Sequence, residues 1–283
     1  MPNPIINKRA VLSDAAPYVF INSQALTYWN ALTVANGSEL TGASYGINKN
    51  SLKAAIDTFF VAGNTGSWLA DMINMYLFIG ATENTHAVNS INPGTYNLTF
   101  TASPTHNATG SNFNGTTQYA SMVNNPSTSG ITTTSAGFTV LTYNTASPGS
   151  LTQVLTGAAN STTQREFLFR QATTNFIGGQ NFNNTGGLLI STTATLNGVF
   201  TETRTASNMY KIFLDGVEVA TTATGGGTIP TQSDYIMANN SSGTAASFTD
   251  GYAKFAAKHM GLSTTKVSSL YTAITALQTS LGR

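Results

Sequence analysis

The sequence predicts a mainly β protein: a two-sheet sandwich or jelly roll that begins with a helical segment and ends with one amphipathic helix. Charged side chains make up only 8% of the 283 residues, so Thr, Ser, Asn and Gln must supply the polar surface. Short strand-like runs recur between turn clusters from about residue 86 to residue 255, which is typical of a sandwich. Segments 50–62 and 263–281 instead have helical periodicity.

Composition excludes several classes of protein. Apolar residues make up 41% of the chain, with 15 Phe and 11 Tyr, which favours a packed core over a disordered polar tract. The net charge of +1 provides no basic surface for nucleic acid. The absence of cysteine excludes disulfides and thiolate metal sites. No run approaches the roughly 18 apolar residues of a membrane span, and no secretory signal is expected at the N-terminus.

We predict two parts, an N-terminal segment at 1–85 and a sandwich at 86–283 that includes the C-terminal helix. The clearest element of the first part is a helix near 50–62, with Asn50 as N-cap and Gly63 as its stop. Spacings of three and four residues give this helix one apolar face, formed by Leu52, Ala55, Ile56, Phe59 and Phe60.

Two further stretches belong to the N-terminal part. Residues 14–32 contain aromatic side chains without a decisive period, so an irregular or partly helical segment is expected. Residues 75–79 form a short apolar run bounded by Gly80, which favours a buried strand.

The sandwich part is predicted from its strand-like runs and turns. The strongest local signal is a hairpin over 208–220, because Asp215-Gly216 supplies the positive φ angles of a type I′ turn. Ile212 and Leu214 are expected to share one face of its first strand. The other runs are 96–100, 137–143, 165–170, 187–191 and 235–238.

The C-terminal helix has one apolar stripe and an almost uncharged polar face. Ser263 is its predicted N-cap, and Gly282 stands at its end. Such a helix must bury its stripe, either on the outside of the sandwich or in a subunit contact. The stripe consists of Val267, Leu270, Tyr271, Ile274, Leu277 and Leu281.

Several segments together resemble the concanavalin A-like, laminin-G-like lectin domains of bacteriophage virion proteins. Residues 112–120 are similar to the family's NGTNQYA strand, and residues 210–216 to its YKVYVNG strand. Residues 255–283 resemble its closing tail, although Ser263 to Lys266 replace the usual acidic residues. Residues 75–82 and 86–89 add to the likeness. The resemblance implies a sandwich closed by one helix; it assigns no chemistry, and residues 1–45 match nothing in it.

The sequence predicts no enzyme. Glycosidases of this architecture need two carboxylates flanking one bond, and no laminarinase-type Glu-x-Asp-x-x-Glu stretch occurs. Asp215 and Glu218 are the nearest acidic pair in the sandwich, but the hairpin explains Asp215 as a turn residue and Glu218 as a solvated strand residue. There is neither a Gly-x-Ser-x-Gly nucleophile elbow nor a phosphate-binding loop.

Metal and ligand sites are not assigned. His86, His106 and His259 are scattered, with His106 expected in a loop and the other two expected to be structural. A weak calcium site is conceivable on loops with Asn181 to Asn184, Asn239-Asn240 or Asp250, but no ligand, cofactor or catalytic residue is named. Ligand contacts near 112–119 or 175–184 rest on composition alone.

Three functions are compatible with these observations. The first is a bacteriophage virion protein, a fibre, spike or other appendage of the head or tail, whose lectin-like sandwich contacts host-surface polysaccharide. As such a protein it would bind other virion proteins and form a homo-oligomer, with a trimer favoured. The second is an architectural capsid or tail component without a ligand, attached through its N-terminal segment. The third is a secreted bacterial carbohydrate-binding module or weak glycosidase.

Overall fold

The protein has three layers: helices, an eight-stranded sheet (sheet 1) and a nine-stranded sheet (sheet 2). These counts refer to the residues that the computed structural model describes, which are 16–143, 152–161, 164–171, 176–182, 189–192 and 197–283. The prediction of a mainly β sandwich with N-terminal helical structure and a C-terminal helix is confirmed. The division into 1–85 and 86–283 stays a prediction.

Four α-helices occur in this part of the chain: α1 (Ser23–Asn36), α2 (Lys49–Thr65), α3 (Glu83–Ala87) and α4 (Thr264–Ser280). No helix in the described residues is both long enough and apolar enough to cross a membrane. The strands are β1 (Met72–Tyr76), β2 (Thr99–Thr101), β3 (Thr105–Asn107), β4 (Gly110–Asn114), β5 (Tyr119–Ser121), β6 (Ala136–Tyr143), β7 (Thr152–Ala159), β8 (Arg165–Gln171), β9 (Phe176–Asn181), β10 (Leu189–Thr192), β11 (Gly198–Ala206), β12 (Met209–Leu214), β13 (Val217–Thr222), β14 (Tyr235–Ile236), β15 (Asn239–Ser241), β16 (Thr244–Ala246) and β17 (Asp250–His259).

Neighbouring strands in each sheet are mostly distant in sequence. Sheet 1 has the order β13-β12-β11-β6-β17-β4-β3, and β1 pairs with the end of β17. Sheet 2 has the order β10-β9-β8-β7-β14-β5-β2, with β15 joining β7 to β16. All of these pairs are antiparallel except β15 with β7. Non-local pairing of this kind is typical of a jelly-roll-like sandwich.

Sheet 1 packs apolar side chains on both of its faces. Along β6, Val140 points into the core between the sheets, and Leu141 points to the helices. In β11, Phe200 likewise points into the core between the sheets and Val199 points to the helices, because successive side chains of a strand face opposite sides. Fully burying one such side chain stabilises the fold by about 1.5–3 kcal/mol. The helices are therefore an integral layer of the core.

Helix α2 confirms the predicted apolar face but not the predicted caps. All five residues of that face are buried. The N-cap is Asn48, whose side chain accepts from the Ser51 N–H, so Asn50 lies inside the helix. The helix continues past Gly63, where a Cβ would lie 2.8 Å from the Trp68 ring. That glycine is needed for close packing and does not end the helix.

The irregular N-terminal segment contains one full helix. Asn22 caps α1 by accepting from the Gln24 and Ala25 N–H groups. The buried carboxylate of Asp57 accepts from the Ile21 and Asn22 N–H groups, each at 2.8 Å. This tertiary contact fixes where α1 begins. Residues 14 and 15 lie outside the described residues.

The short strands differ most from expectation. The predicted strand at 75–79 is shifted, because β1 ends at Tyr76 and the buried residues 77–79 leave the sheet. The run at 96–100 contributes only its end, to β2, and the run at 235–238 only its beginning, to β14. The runs at 137–143 and 165–170 are confirmed as β6 and β8. The run at 187–191 overlaps β10, and its first two residues lie outside the described part.

The hairpin and the C-terminal helix match their predictions closely. Asp215 has φ 50° and Gly216 has φ 76°, as a type I′ turn requires between β12 and β13. Ser263 caps α4 through the Lys266 N–H. The apolar stripe of α4 packs against α2 and sheet 1, with only Tyr271 half-buried. The stripe is therefore buried within this chain.

Candidate functional site

The outer face of sheet 2 carries a row of side chains from neighbouring strands. Ser121 lies directly opposite both Thr99 and Tyr235 in the strand register. Ala120 and Ile236, the residues next to them in sequence, point into the core. Because side chains alternate along a strand, the row faces away from the core and from the helical layer. Tyr119 is two residues from Ser121 and shares this face.

Two tyrosines of this face form a stacked pair. The ring centroids of Tyr119 and Tyr235 are 4.3 Å apart, and their planes are inclined by 25°. Phe248 extends the aromatic surface, with its ring centroid 6.3 Å from that of Tyr119. All three rings are half-buried. We call them the aromatic platform.

The platform is rigidly supported from one side. Asn114 accepts from the N–H groups of Thr116, Thr117 and Gln118 at 3.0–3.1 Å, which fixes the loop before β5. The Gln118 amide then donates to the carbonyls of Ala102 and Ser103. Because these contacts order the chain next to Tyr119, a ligand would meet a preorganised surface.

The platform is electrically neutral. Its flanks along the strands are the hydroxyl side chains of Thr99, Thr101 and Ser121. Burial, and then the neighbouring Tyr119 hydroxyl, raises the pKa of Tyr235 to about 12, so that its phenol is uncharged at neutral pH. Flat apolar rings beside neutral hydrogen-bonding groups suit a ligand with both an apolar face and hydroxyl groups.

Ionised side chains are concentrated between the sheets instead. Lys258 of sheet 1 contacts Glu166 at 2.6 Å and also Asp234, and all three side chains are fully buried. Burial raises the pKa of both carboxyl groups, and the two carboxylates outweigh burial and raise the pKa of Lys258. This buried triad links the sheets across the core. No sequence pattern reveals this triad, because its members are far apart in the chain.

Two further buried networks cross the sandwich. Glu202 of sheet 1 accepts from Tyr210 and, across the core, from Asn181 Nδ2 of sheet 2 at 3.4 Å, and burial raises the pKa of its carboxyl to about 8. Arg170 donates to Gln153 and Thr142 and to the backbone carbonyl of Asp250. Arg170 is fully buried. Such contacts satisfy polar groups inside the core and fix the relative position of the sheets.

The acidic pair singled out in the sequence does not form a site. Asp215 accepts from the Val199 N–H at 2.9 Å, which anchors the hairpin turn. Glu218 forms an exposed ion pair with Lys211 at 2.6 Å. Both assignments agree with the structural roles predicted for these residues.

The histidines are not all scattered, which corrects the expectation from sequence. The Nδ1 atoms of His86 and His106 are 3.1 Å apart, and both lie near Ser111 Oγ. His106 belongs to strand β3, where a loop was expected. Burial lowers the pKa of His86 to about 3 and that of His259 to about 4, so that both rings are neutral at pH 7.

In the part of the chain that the structure describes, no group of three or more His, Cys, Asp or Glu side chains able to hold a metal ion occurs, so the histidine pair has no third ligand of these types. Asn240, in one of the suggested calcium loops, donates to the Ser233 carbonyl and accepts from the Gly243 N–H. Residues 175, 183 and 184 of the suggested loops lie outside the described part.

Comparison with known proteins supports the sandwich fold. No protein-family model matches the chain, and no curated protein matches its sequence. A mutant of Trypanosoma rangeli sialidase displaying trans-sialidase activity matches 80% of the chain with TM-score 0.52 and 14% identity. The binding domain of botulinum neurotoxin serotype D matches 73% with TM-score 0.50 and 12% identity. The matches span only 39% and 52% of those two proteins.

A third structure is similar over a smaller part. The carbohydrate-binding module CBM40 of the Ruminococcus gnavus IT-sialidase, bound to alpha2,6 sialyllactose, matches 48% of the chain and 82% of its own length. The TM-score is 0.38 and the identity 14%. At these identities, the likenesses to the two larger proteins show a shared lectin-like β-sandwich and nothing about a ligand.

Proposed function

We propose that this protein is a surface appendage of a bacteriophage particle and that its sandwich binds a polysaccharide on the bacterial surface. In this proposal the protein has no enzymatic activity and no cofactor, and it acts in the virion as a homo-oligomer, a trimer being favoured. The observation that carries the binding function is the stacked Tyr119–Tyr235 pair on the outer face of sheet 2.

The platform supports binding of a sugar through its shape and neutrality. A pyranose ring has an apolar C–H face that packs on an aromatic ring, while its hydroxyl groups need hydrogen-bonding partners. The platform offers rings beside the hydroxyl groups of Thr101 and Ser121. Aromatic side chains provide a large contact area with little loss of conformational entropy, which favours binding.

The assignment to a virion rests on the sequence resemblance. Residues 112–120, 210–216 and 255–283 carry it, and they correspond to β4–β5, the β12–β13 hairpin and the closing strand and helix. The low charge fits an assembled surface, because a protein with 8% charged residues and net charge +1 has little electrostatic protection from association.

The absence of enzymatic activity is proposed from the positions of the carboxylates. Among the described residues, Glu166 and Asp234 come together between the sheets, but both are fully buried and share Lys258. A glycosidase needs its two carboxyl groups on either side of an accessible bond. Hydrolysis of bound polysaccharide by the purified protein, followed as new reducing ends, would contradict this proposal.

The test of binding uses variants of the platform. Tyr119→Ala and Tyr235→Ala should each weaken binding to an array of bacterial surface polysaccharides about tenfold, or about 1.4 kcal/mol. Tyr119→Phe retains the ring and should bind like the parent. Val217→Ala is the control, since Val217 is an exposed residue of sheet 1. Unchanged binding in both alanine variants, with intact melting curves, would exclude the platform.

The test of location is mass spectrometry of gradient-purified phage particles. Peptides of this chain at a stoichiometry above contamination are expected, and light scattering of the purified protein should give the mass of a trimer. Absence from intact particles would overturn the virion assignment and favour a secreted sugar-binding module.

One observation favours the architectural alternative. Val19, Ile21 and Val34 are 79–84% exposed, so the N-terminal region presents apolar side chains to solvent. Such a surface is suited to attachment to another virion protein. If the architectural role is the whole function, Val34→Lys should remove the chain from particles, and the platform variants should leave attachment of phage to cells unchanged.

A further inference from the structure

A second pocket lies where sheet 1 meets the end of α4, apart from the aromatic platform. Its volume is about 240 Å³. Strands β6, β11 and β17 form one wall, and the last turns of α4 form the other. Its lining includes Tyr143, Asp215, Lys254, Tyr271, Gln278 and Arg283.

Lys254 reaches this pocket from a β-bulge. In the pairing of β17 with β6, Ala253 faces Thr142 and Phe255 faces Leu141, so Lys254 is the extra residue. Bulges re-aim a side chain and are frequent next to functional sites. The Lys254 ammonium lies 5.0 Å from the centroid of the Tyr143 ring.

The positive charge of Lys254 is not neutralised by an ion pair. No carboxylate lies within salt-bridge distance of its ammonium in the described residues. Burial, and then the charge of Arg283, lowers the pKa of Lys254. A half-buried ammonium beside a second cation is unfavourable unless an anion joins it.

The second cation cannot itself bind a ligand directly. Arg283 donates to the carbonyls of Leu77, Phe78, Ala108 and Lys254 and to Gln278 Oε1, so its N–H groups are occupied. Its positive charge nevertheless remains next to the pocket.

Arg283 also leaves one hydrogen-bond donor of Gln278 unused. Because Oε1 of Gln278 accepts from Arg283, the amide nitrogen Nε2 is fixed on the other side. That nitrogen is buried and has no partner in the described residues, and Gln278 is only 6% exposed. The carboxylate in the lining, Asp215, already accepts from the Val199 N–H. The lining thus carries two positive charges, on Lys254 and Arg283, against the single negative charge of Asp215.

We infer that this pocket binds a carboxylate, carried by an acidic sugar such as a uronic acid. The carboxylate would bind Lys254 Nζ, at the wall that β17 contributes. The rings of Tyr143 and Tyr271 would flank the sugar. Pockets for drug-sized ligands usually measure about 300–1,000 Å³, so this smaller one fits a single sugar unit. The preference for a carboxylate follows from the pocket; the choice of a sugar as its carrier rests on the proposed function.

The test compares sugars that differ only in the carboxylate. Sodium glucuronate and galacturonate are titrated against glucose and galactose, with the ¹³Cε signals of the lysines followed by NMR. The uronates should shift the Lys254 signal and raise the pKa of Lys254, whereas the neutral sugars should not. Equal responses to acidic and neutral sugars, or no response to either uronate, would overturn the inference.

Two variants of Lys254 separate charge from shape. Lys254→Met keeps the length of the side chain and should weaken uronate binding about tenfold, the usual effect of losing a hydrogen bond from a charged group. Lys254→Arg keeps the charge and should retain the preference for the acidic sugar. Lys211→Met is the control, because Lys211 lies near the opposite end of α4. Uronate binding that survives Lys254→Met unchanged would contradict the inference.

The same titrations distinguish failure of the pocket from failure of the proposed function. If the platform variants Tyr119→Ala and Tyr235→Ala bind polysaccharide normally while uronates still shift Lys254, the platform is wrong and the pocket stands. If polysaccharide binding depends on the platform but uronates leave Lys254 unaffected, the pocket is wrong and the platform stands.

Discussion

At the scale of single residues, buried charge has the largest local consequences in this molecule. Lys258 lies between two buried carboxylates, so removing it leaves negative charge without a partner inside the core. Breaking a buried ion pair from one side costs about 3–5 kcal/mol. An exposed pair contributes less than about 1 kcal/mol, because water and salt screen it.

Lys258→Met should therefore reduce the free energy of unfolding by about 3–5 kcal/mol at pH 7. The loss should be smaller at pH 5, where the pKa values of Glu166 and Asp234, already raised by burial, favour protonation of the carboxyl groups. Urea unfolding at both pH values measures this. In the exposed pair, Lys211→Met should cost less than about 1 kcal/mol. A similar loss in both variants would show that the buried triad contributes no more than a surface contact.

Glu202 couples stability to pH in a defined direction. Burial raises the pKa of its carboxyl from 4.5 to about 8, so the folded state keeps a proton that the unfolded state releases. The stabilising contribution of Glu202 to the free energy of unfolding is complete below pH 4.5 and is lost as the pH rises towards 8. His86 and His259 act oppositely, because burial lowers each pKa below 6.5 and the penalty develops as the pH falls. Between pH 6.5 and 8 the histidine contributions are small. The raised pKa values of Glu166 and Asp234 act in the same direction as that of Glu202, so a Glu202 variant is needed to isolate this carboxyl.

In that range the parent protein should lose stability with rising pH more steeply than Glu202→Gln, by up to about 1.4 kcal/mol per pH unit for the single proton involved. The glutamine oxygen can still accept from Tyr210, but its amide nitrogen takes the place of the oxygen that accepts from Asn181 Nδ2. The Asn181 amide must therefore turn to present Oδ1, which has no partner in the described residues. Urea unfolding at intervals of half a pH unit provides the slopes. Parallel slopes in the two proteins would mean that Glu202 is ionised in the folded state.

At the scale of elements, helices and turns were predicted better than strand lengths. Helix periodicity and turn residues act between neighbours in the sequence, whereas the length of a strand depends on partners far along the chain. The helices α2 and α4 and the β12–β13 hairpin were predicted because period and turn chemistry are local. The predicted end of α2 at Gly63 was wrong, because this glycine is required for packing against Trp68, which is a tertiary contact. Strands β2 and β14 were misjudged in length because their partners are distant in sequence.

The β12–β13 hairpin gives a testable prediction about the conformation of its turn. Gly216→Ala should lower the free energy of unfolding by at least about 1 kcal/mol, because an L-residue is strained at φ 76° and its Cβ would lie 3.0 Å from the Tyr271 ring. Gly225→Ala is the matched control, since its nearest neighbouring heavy atom is 3.8 Å away and its φ is not positive. Thermal unfolding should show a lower Tm for the first variant only. Equal Tm values would mean that the turn tolerates an L-residue.

At the scale of the whole molecule, the site depends on how the layers are assembled. Tyr119 and Tyr235 lie on strands that meet only in the folded sheet, so no sequence pattern paired them. Their position in alternating segments, next to the core residues Ala120 and Ile236, was the available signal that each faces outwards. The pocket at Lys254 could not be predicted from the sequence either, because it forms only where a β-bulge, α4 and Arg283 meet in the folded protein.

Arg283 connects the layers that form this pocket. Its guanidinium binds carbonyls of the chain after β1, of the β3–β4 turn and of β17, while Gln278 holds it to α4. Arg283→Met should leave these buried carbonyls without a donor and lower the free energy of unfolding by at least about 3 kcal/mol. Each unsatisfied carbonyl costs about 1–3 kcal/mol, and removing a buried charge that has no ion pair offsets part of the loss.

The region that loses protection tests the role of Arg283 in joining the layers better than the size of the stability loss does. Hydrogen exchange should accelerate in α4 and α2 of the Arg283→Met variant, because the helical layer loses its attachment to sheet 1, while the amides of β7 and β8 in sheet 2 keep their protection. Lys49→Met, which removes only an exposed ion pair with Glu39, should change neither region. Uniform acceleration in both sheets and all helices would mean that the layers unfold as one unit and that Arg283 stabilises the molecule globally.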